Sequence, residues 1–288
     1  MADNSIPSDP PPDYSVAAAE HGIPIRQTAP VRKGNPPLPL ELPIIKYLKT
    51  KRVILASASP RRRALLAQVG LTNLEIQPST KPENLSKAEY GPFEYVSATA
   101  RQKCLDVYEA ALEQQQQDAE AAGASAPPVP TDPDLVIAAD TVIVTREGRV
   151  LEKPRSEAEH VRMLRHLRDT RVHRVLTSVC VLAPKADASH PGYEMAAHTE
   201  ETKVFFASEA GGLPDSVIEA YVRTREGADK AGGYAVQGMG GMLLVERLEG
   251  GVDNVVGLPV RRCLALAEKV VFRQGEEEED GESEEEDF

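Results

Sequence analysis

Apolar and polar positions follow two different periods along this chain, and these periods predict a succession of strands and helices. The first apolar run, Val53–Ala56, has the length of a short buried strand. Ser59-Pro60 follows it and marks a helix start, because serine can cap free N–H groups and proline suits the first helical position. Leucines then recur at helical spacing up to Gly70, which can end the helix. This stretch therefore predicts a strand, a serine-bearing turn and a helix.

The same alternation continues through the rest of the chain. Leu135–Ala139 is a continuous apolar run that predicts a buried strand, and after Asp140-Thr141 the pattern resumes as a hairpin. Further strands are predicted at Leu74–Pro78, Val172–Leu182, Tyr193–Phe206 and Met242–Glu246, and further helices begin at Pro92, Ser156, Pro214 and after Pro259. Strands that alternate with helices indicate one α/β domain over residues 44–274.

Three segments fall outside this pattern. Residues 1–43 are rich in proline and small polar residues, which predicts a disordered N-terminal arm because little apolar surface is available to offset ordering. Residues 113–133 contain a glutamine run followed by alanine and proline, and they predict a low-complexity insertion on the surface. Residues 275–288 predict a disordered acidic tail.

Charge and cysteine content restrict the partners and the compartment. The formal net charge is −12, but residues 276–287 contribute ten carboxylates, and without them the charge is −2. A nearly neutral body has no basic field, so we expect no nucleic-acid partner. No apolar run has membrane-spanning length and no signal-peptide core is present, so we expect no membrane contact. Three widely spaced cysteines suit reduced core residues and a cytoplasmic location.

The turn before the first long helix carries unusual charge. Arg61, Arg62 and Arg63 crowd the first helical turn, where the helix dipole already supplies partial positive charge. A bound anion would reverse this repulsion, because free N–H groups, guanidinium groups and the hydroxyls of Ser57 and Ser59 would all surround it. From the residues alone, two interpretations stay open: a phosphate site and a solvated basic helix face.

Three further features are candidates for chemistry. Asp140 interrupts an apolar strand, where a carboxylate is costly unless it is paired or bound to metal, so it is a candidate acid, base or metal ligand. The alternative is an aspartate that bonds nearby backbone. Lys103, on a helix with apolar neighbours, is by itself expected to be a surface lysine. The glycines of Asp229–Gly241 let backbone approach a ligand closely, with a plain long loop as the alternative.

Five motifs occur in a specific order. They are Ser57–Arg62 followed by Leu65-Leu66, then Ala139–Thr141, Leu151–Pro154, Asp229–Gly238 and Asn254–Pro259. With these motifs the chain resembles the Maf family of nucleoside triphosphate pyrophosphatases over residues 52–272. The resemblance implies an α/β fold, a single Maf-like (ITPase-like) domain with a mixed twisted sheet, flanking helices and a central cleft between two lobes. It also implies a divalent cation, Mg²⁺ or Mn²⁺, and a homodimer.

The resemblance assigns roles by position. It makes Asp140 the catalytic carboxylate, either a general base or a metal ligand, with Lys103 and Lys153 as cleft lysines. Glu83 is implied to help Asp140 hold metal. The expected substrate-binding residues are Ser57, Ser59, Arg61, Arg62, Thr141 and Gln237. Arg61, Thr141 and Gln237 occupy the base-selecting positions of the subgroup that acts on dTTP and UTP. The family commonly carries an aspartate where this chain has Ser156.

The expected activity is hydrolysis of dTTP and UTP, and of modified pyrimidine nucleotides, to the monophosphate and pyrophosphate, a house-cleaning role in the nucleotide pool. Two alternatives stay open. The same fold can act on methylated or other modified nucleoside triphosphates, or the chain can be a non-catalytic, nucleotide-binding regulator of cell division. Asp140 and the two lysines favour an enzyme, because a pure binder does not need a buried carboxylate beside phosphates.

Overall fold

Seven strands form one mixed sheet in this computed structural model, which describes residues 40–82, 85, 89–121, 132–185, 187 and 192–275. The strands are β1 (Val53–Leu55), β2 (Leu74–Ile76), β3 (Leu135–Val144), β4 (Val150–Leu151), β5 (Val172–Pro184), β6 (Tyr193–Phe206) and β7 (Val245–Glu249). Their order is β2-β1-β3-β5-β6-β7, and β4 pairs with β3. Strand β1 runs parallel to β2 and β3, whereas the other pairs are antiparallel.

One edge of β3 is only partly covered. Strand β1 pairs with Leu135–Ile137, and β4 pairs with Ile143 and Val144. The opposite edge of β3 pairs with β5 along almost its whole length. Among the described strands, none pairs with residues 138–142 on the β1 side, so the sheet has an opening beside the carboxyl end of β1. In open α/β sheets, ligands bind at the carboxyl ends of strands.

Helices cover both faces of the sheet. They are α1 (Pro43–Leu48), α2 (Pro60–Gln68), α3 (Pro92–Ala121), α4 (Glu157–Thr170), α5 (Asp215–Arg223), α6 (Met239–Leu243), α7 (Val252–Val256) and α8 (Val260–Phe272), with a 3₁₀ turn at Ala231–Gly233. Helix α3 packs on one face, where Cys104 and Val107 contact the cluster that contains Ile54. Helices α1, α2 and α8 pack on the other face, in the cluster that contains Leu55. None of the described helices has the length and apolar character required to cross a bilayer.

The alternation of side chains along β3 determines which face of the sheet Asp140 and Thr141 each point to. Ala138 lies in the α3 cluster and Ala139 lies in the opposite one. Because side chains alternate along a strand, Asp140 points toward α3 and Thr141 points toward α2 and α7. Two adjacent residues therefore reach the opening in the sheet from opposite faces.

The mixed sheet with flanking helices confirms the predicted α/β fold, and most predicted elements are present within a few residues. The strand predicted at Met242–Glu246 begins too early: Met239–Leu243 is helix α6, and β7 begins at Val245, so only Val245 and Glu246 of the predicted range are strand. The carboxylate of Glu226 accepts hydrogen bonds from the N–H groups of Met239 and Gly240, which fixes the start of α6. Met242 is consequently 77% exposed and takes no part in the sheet.

Several predictions concern residues that are not described. Residues 1–39 of the predicted arm, residues 122–131 of the predicted insertion, the acidic segment 276–288 and Glu83 lie outside the described residues. The described beginning of the insertion continues helix α3 as far as Ala121. The described residues belong to one compact unit that starts at Leu40. The domain boundaries stay predictions.

Candidate active site

A cleft of about 780 Å³ opens where β1 ends, beside the uncovered stretch of β3. Its lining includes the turn after β1, the first residues of α2, the segment after β4, the glycine-rich segment after Asp229 and the end of α7. Nine of the predicted site residues line it, namely Ser57, Ser59, Arg61, Arg62, Lys103, Asp140, Thr141, Lys153 and Gln237. Their roles stay predictions, but the fold brings all nine to one cavity.

An ion pair lies at the base of this cleft. The Nζ atom of Lys103 is 2.9 Å from Oδ1 of Asp140, and Asp140 is 8% exposed. A buried carboxylate requires such a partner, so Asp140 is not a structural aspartate that bonds neighbouring backbone. The expectation of a surface position for Lys103 is also wrong, because its side chain is 15% exposed. Within the described residues, Oδ2 of Asp140 has no hydrogen-bond partner, and it is the oxygen available to a ligand.

The serine-bearing turn is held to the sheet by one arginine. Arg62 donates from Nη1 to the hydroxyl of Ser57 at 2.9 Å. It also donates from Nη2 to Oγ1 of Thr141 at 3.1 Å, and from Nε to the carbonyl of Gly257 at 2.8 Å. The same Ser57 hydroxyl accepts the N–H of Ser59 at 3.3 Å. The guanidinium plane of Arg62 is thus fixed by acceptors from three separate parts of the fold.

The other arginines of the turn differ in position. Arg61 is half-buried and lines the cleft, whereas Arg63 is exposed and is not part of the lining. The hydrogen bond from Lys230 lowers the pKa of Asp229 most, and the charge of Arg61 adds to that effect. Ser59 occupies the N-cap position of α2, but its side chain makes no capping hydrogen bond. Arg61, Arg62 and the hydroxyl of Ser59, which has no hydrogen-bond partner among the described residues, therefore face the cleft.

Two predicted residues are exposed members of the lining, Lys153 and Gln237. Lys153 follows β4, where the N–H of Gly232 donates to the carbonyl of Glu152 at 3.1 Å and joins the two walls. Gln237 lies in a loop that is held by hydrogen bonds on both sides of this residue. Before it, the N–H of Ala235 donates to the hydroxyl of Tyr221 at 3.2 Å, and after it Glu226 holds the start of α6.

Residues 52–270 match the Maf-like protein family. The chain belongs to this family. A Schizosaccharomyces pombe protein named dTTP/UTP pyrophosphatase is 41% identical over 234 residues, which cover 81% of this chain and 89% of that protein. An Anaeromyxobacter dehalogenans protein of the same name is 44% identical over 221 residues, 77% of this chain and 95% of the relative. A human protein, named probable bifunctional dTTP/UTP pyrophosphatase/methyltransferase protein, is 41% identical over 231 residues, 80% of this chain but 34% of the human protein.

The Maf-like cleft also contains charged residues that the sequence did not single out for a role. They are Lys81, Glu152, Arg155, Asp229 and Lys230. Asp229 and Lys230 belong to the motif Asp229–Gly238, so their place in that motif could have marked them as cleft residues. Lys81 follows β2 in a polar loop, and nothing in the local sequence distinguishes it from a solvated lysine.

The position of Lys81 is fixed by a carboxylate on α3. Lys81 Nζ lies 3.1 Å from Oδ1 of Asp106, which is buried, and 3.1 Å from Glu109. Asp106 also accepts hydrogen bonds from the hydroxyl of Ser79 and the N–H of Thr80. Burial opposes ionisation of Asp106, but the hydrogen bonds from Ser79 and Lys81 outweigh it and hold its pKa below the usual range.

The carboxylates of the Maf-like cleft limit how a metal can bind. The described residues contain no group of three or more His, Cys, Asp and Glu side chains that could enclose a metal ion. Mg²⁺, however, commonly binds through one or two carboxylates together with substrate phosphates. Asp140, with Oδ2 open to the cleft, fits a cation that binds together with a triphosphate. Ser156, where the resemblance led us to expect aspartate, caps α4 by accepting the N–H of Glu159 at 3.2 Å.

Proposed function

We propose that this Maf-like chain is a nucleoside triphosphate pyrophosphatase that hydrolyses dTTP and UTP to the monophosphate and pyrophosphate, in a house-cleaning role. The observation that carries this proposal is that the Lys103–Asp140 pair shares one cleft with the serine-arginine turn of Ser57–Arg62. The names of the similar proteins from Schizosaccharomyces pombe and Anaeromyxobacter dehalogenans support the choice of dTTP and UTP.

The turn supplies the positive charge that a triphosphate requires. Helix α2 has no acidic residue in its first turn, and its N-terminal end faces the cleft beside Arg61 and Arg62. Helix N-termini and guanidinium groups both bind phosphate oxygens strongly, the first through N–H groups and the second through paired donors. We therefore assign Ser57, Ser59 and Arg62 to the phosphates.

The ion pair supplies the group that handles the proton. In the proposed reaction, water forms a bond to the α-phosphorus, the bond to the α–β bridging oxygen breaks, and that oxygen leaves with pyrophosphate. Oδ2 of Asp140 accepts the proton of the attacking water, while Lys103 keeps the carboxylate oriented through Oδ1. Lys153, on the exposed part of the lining, neutralises charge on the leaving pyrophosphate. A bound Mg²⁺ or Mn²⁺ would supply further charge neutralisation, held by Glu83 and the phosphates. In the alternative role of Asp140, as a metal ligand, its carboxylate would bind this cation with Glu83 and would not take the proton.

Base selection is assigned to the glycine-rich wall. The side-chain amide of Gln237 can donate and accept hydrogen bonds at once, as recognition of a pyrimidine edge requires. Arg61 and Thr141 complete the predicted base-selecting set, and both line the cleft.

A nucleotide panel tests the proposal. Pyrophosphate release is measured with dTTP, UTP, CTP, ATP and GTP and with methylated triphosphates, each with Mg²⁺, with Mn²⁺ and with a chelator. We expect the highest kcat/KM for dTTP and UTP and a loss of activity with the chelator. A preference for methylated nucleotides would assign the chain to the alternative substrate class, and nucleotide binding without turnover would make it a non-catalytic regulator.

Assembly and location are part of the same proposal: a cytoplasmic homodimer. The resemblance supports the dimer, and the exposure of Met242 and Leu243, at 77% and 48%, leaves apolar surface for a second copy. Three cysteines that are buried and free suit a reducing compartment. Light scattering of the purified chain checks the dimer, and the mass of a single chain at micromolar concentration would contradict it.

A further inference from the structure

Arg62 is the first member of a series of hydrogen bonds that leads from the cleft through Thr141 and Thr177 to Asn254 in the protein interior. We call this series the hydrogen-bond line. Its Nη2 lies 3.1 Å from Oγ1 of Thr141, which lies 3.0 Å from Oγ1 of Thr177. The Thr177 hydroxyl in turn lies 2.8 Å from the carbonyl oxygen of Asn254. Thr141 and Thr177 are direct partners on the neighbouring strands β3 and β5. Their side chains therefore stand side by side on one face of the sheet.

The donor at one end of this hydrogen-bond line and the acceptor at the other determine the direction of every hydrogen bond between them. A guanidinium group can only donate, and a backbone carbonyl can only accept. Each threonine hydroxyl has one proton, so Thr177 gives its proton to Asn254 and must accept from Thr141. Thr141 then gives its proton to Thr177 and accepts from Arg62. The line runs in one direction, from Arg62 through both hydroxyls to the carbonyl.

The far end of the line is rigidly anchored. Asn254 is fully buried, and its side-chain amide donates to the carbonyl of Val175 at 3.1 Å and to the hydroxyl of Thr202 at 2.9 Å. Its N–H group donates to Asp253 at 3.0 Å. Thr177 is also fully buried, so water cannot replace its hydroxyl easily. Loss of that hydroxyl would leave the Asn254 carbonyl without this donor in the interior, which is costly, and would no longer fix the orientation of the Thr141 hydroxyl.

From this arrangement we infer that Thr177 is a positioning residue for Arg62, and through it for the phosphates; this rests on the proposed function. Thr177 does not line the cleft formed by the described residues, so it acts only through Thr141. The inference also changes the role of Thr141. Because its single proton is committed to Thr177, Thr141 orients Arg62 and does not donate to a nucleobase, and donation to the base falls to Gln237 and Arg61.

Substitutions at Thr177 test this role. Thr177→Val removes the hydroxyl at nearly constant volume, and we expect kcat/KM for dTTP to fall by about tenfold to a hundredfold, the range for a lost buried hydrogen-bond partner. Thr177→Ser restores the hydroxyl and is expected to stay within about threefold of the wild type. The matched control is Thr145→Val. Thr145 is 1% exposed, follows β3, and accepts the N–H of Arg149 at 3.2 Å, outside the cleft lining.

A double-mutant cycle separates positioning from general destabilisation. In an Arg62→Ala background, Thr177→Val should cause no further loss of kcat/KM, because the residue through which it acts is absent. The same fold-loss in both backgrounds, or the same loss for Thr145→Val as for Thr177→Val, would overturn the inference. If Thr177→Val does not fold, Thr177→Cys, which fills the site and keeps only a weak donor, takes its place in the cycle.

The wild-type enzyme separates this inference from the proposed function. If it hydrolyses none of the nucleotides, the proposed function fails, and the cycle is then measured as the Kd for dTTP by calorimetry. Weaker binding on Thr177→Val that disappears in the Arg62→Ala background still supports positioning, and additive losses in Kd refute it.

Discussion

Lys103 and Asp140 meet across the boundary between helix α3 and strand β3, with 2.9 Å between Nζ and Oδ1 and with both side chains largely buried. Helix α3 packs along β3 through Cys104 and Val107, so the lysine that precedes Cys104 is carried to the carboxylate by core packing. The pair therefore links the stability of the core to the chemistry of the cleft.

The first prediction concerns the open oxygen of Asp140. Asp140→Asn keeps the shape of the side chain but removes its ability to take a proton, so we expect kcat to fall by about 10²–10⁴. Steady-state pyrophosphate release measures the change. The control is Asp118→Asn, on the part of α3 that lies outside the cleft lining and where the aspartate bonds Gln114. Unchanged kcat for Asp140→Asn would remove Asp140 from the mechanism.

The second prediction concerns the lysine. Lys103→Met leaves the Asp140 carboxylate buried without its cation, and we expect the free energy of unfolding to fall by about 3 kcal/mol. Urea denaturation at pH 7 measures it. The double variant Lys103→Met/Asp140→Leu removes both charges, so it should recover most of the loss. If the double variant is less stable than Lys103→Met, packing and not the unpaired charge accounts for the effect.

The third prediction is a pH dependence of the free energy of unfolding that originates from His173, which contacts Tyr234 of the cleft lining. His173 is 1% exposed, its Nε2 lies 2.8 Å from the hydroxyl of Tyr234, and burial lowers its pKa to about 3. Between pH 6.5 and 3 the unfolded chain binds the extra proton, so this histidine's contribution is complete above pH 6.5 and is lost as the pH falls.

For this histidine we expect a slope of about 1.4 kcal/mol per pH unit below pH 6. Urea unfolding at pH 7, 6 and 5 measures the profile. His173→Gln cannot titrate and should flatten it. Parallel profiles for the wild type and His173→Gln would contradict the assignment.

The fourth prediction concerns the loop that carries Gln237. Burial opposes ionisation of Glu226, but hydrogen bonds from the N–H groups of Gly240 and Met239 outweigh it and hold the Glu226 pKa below its usual value. A Cβ at Gly238 would overlap the Glu226 carboxylate, so a larger residue there would displace the carboxylate that holds the loop.

Because Glu226 fixes the loop, Glu226→Ala and Gln237→Ala should both lower the ratio of kcat/KM for pyrimidine over purine triphosphates. The nucleotide panel measures the ratio. The control is Glu219→Ala. Glu219 lies on α5, and its exposed carboxylate pairs with Arg165 of α4. An unchanged ratio in Gln237→Ala would show that base selection lies elsewhere in the cleft.

Elements that depend on interactions between residues close in sequence were predicted correctly, whereas features that depend on residues distant in sequence were not. The strand–turn–helix of Val53–Gly70 was predictable because a short apolar run, Pro60 and Gly70 act on their immediate neighbours. The start of the strand predicted at Met242–Glu246 was wrong because Glu226, from outside this segment, caps a helix at Met239 and Gly240. The line from Arg62 to Asn254 has no local signal at all.

The sequence by itself determined the alternation of strands and helices and the family, and it predicted the residues that the fold brings to one cleft. The tertiary structure alone decided that Asp140 pairs with Lys103, that Arg62 and not Arg63 is bound to the sheet, and that Thr177 belongs behind the site. The physical reason is that local propensity acts over a few residues, whereas burial and hydrogen bonding join groups that only sheet pairing and helix packing bring together.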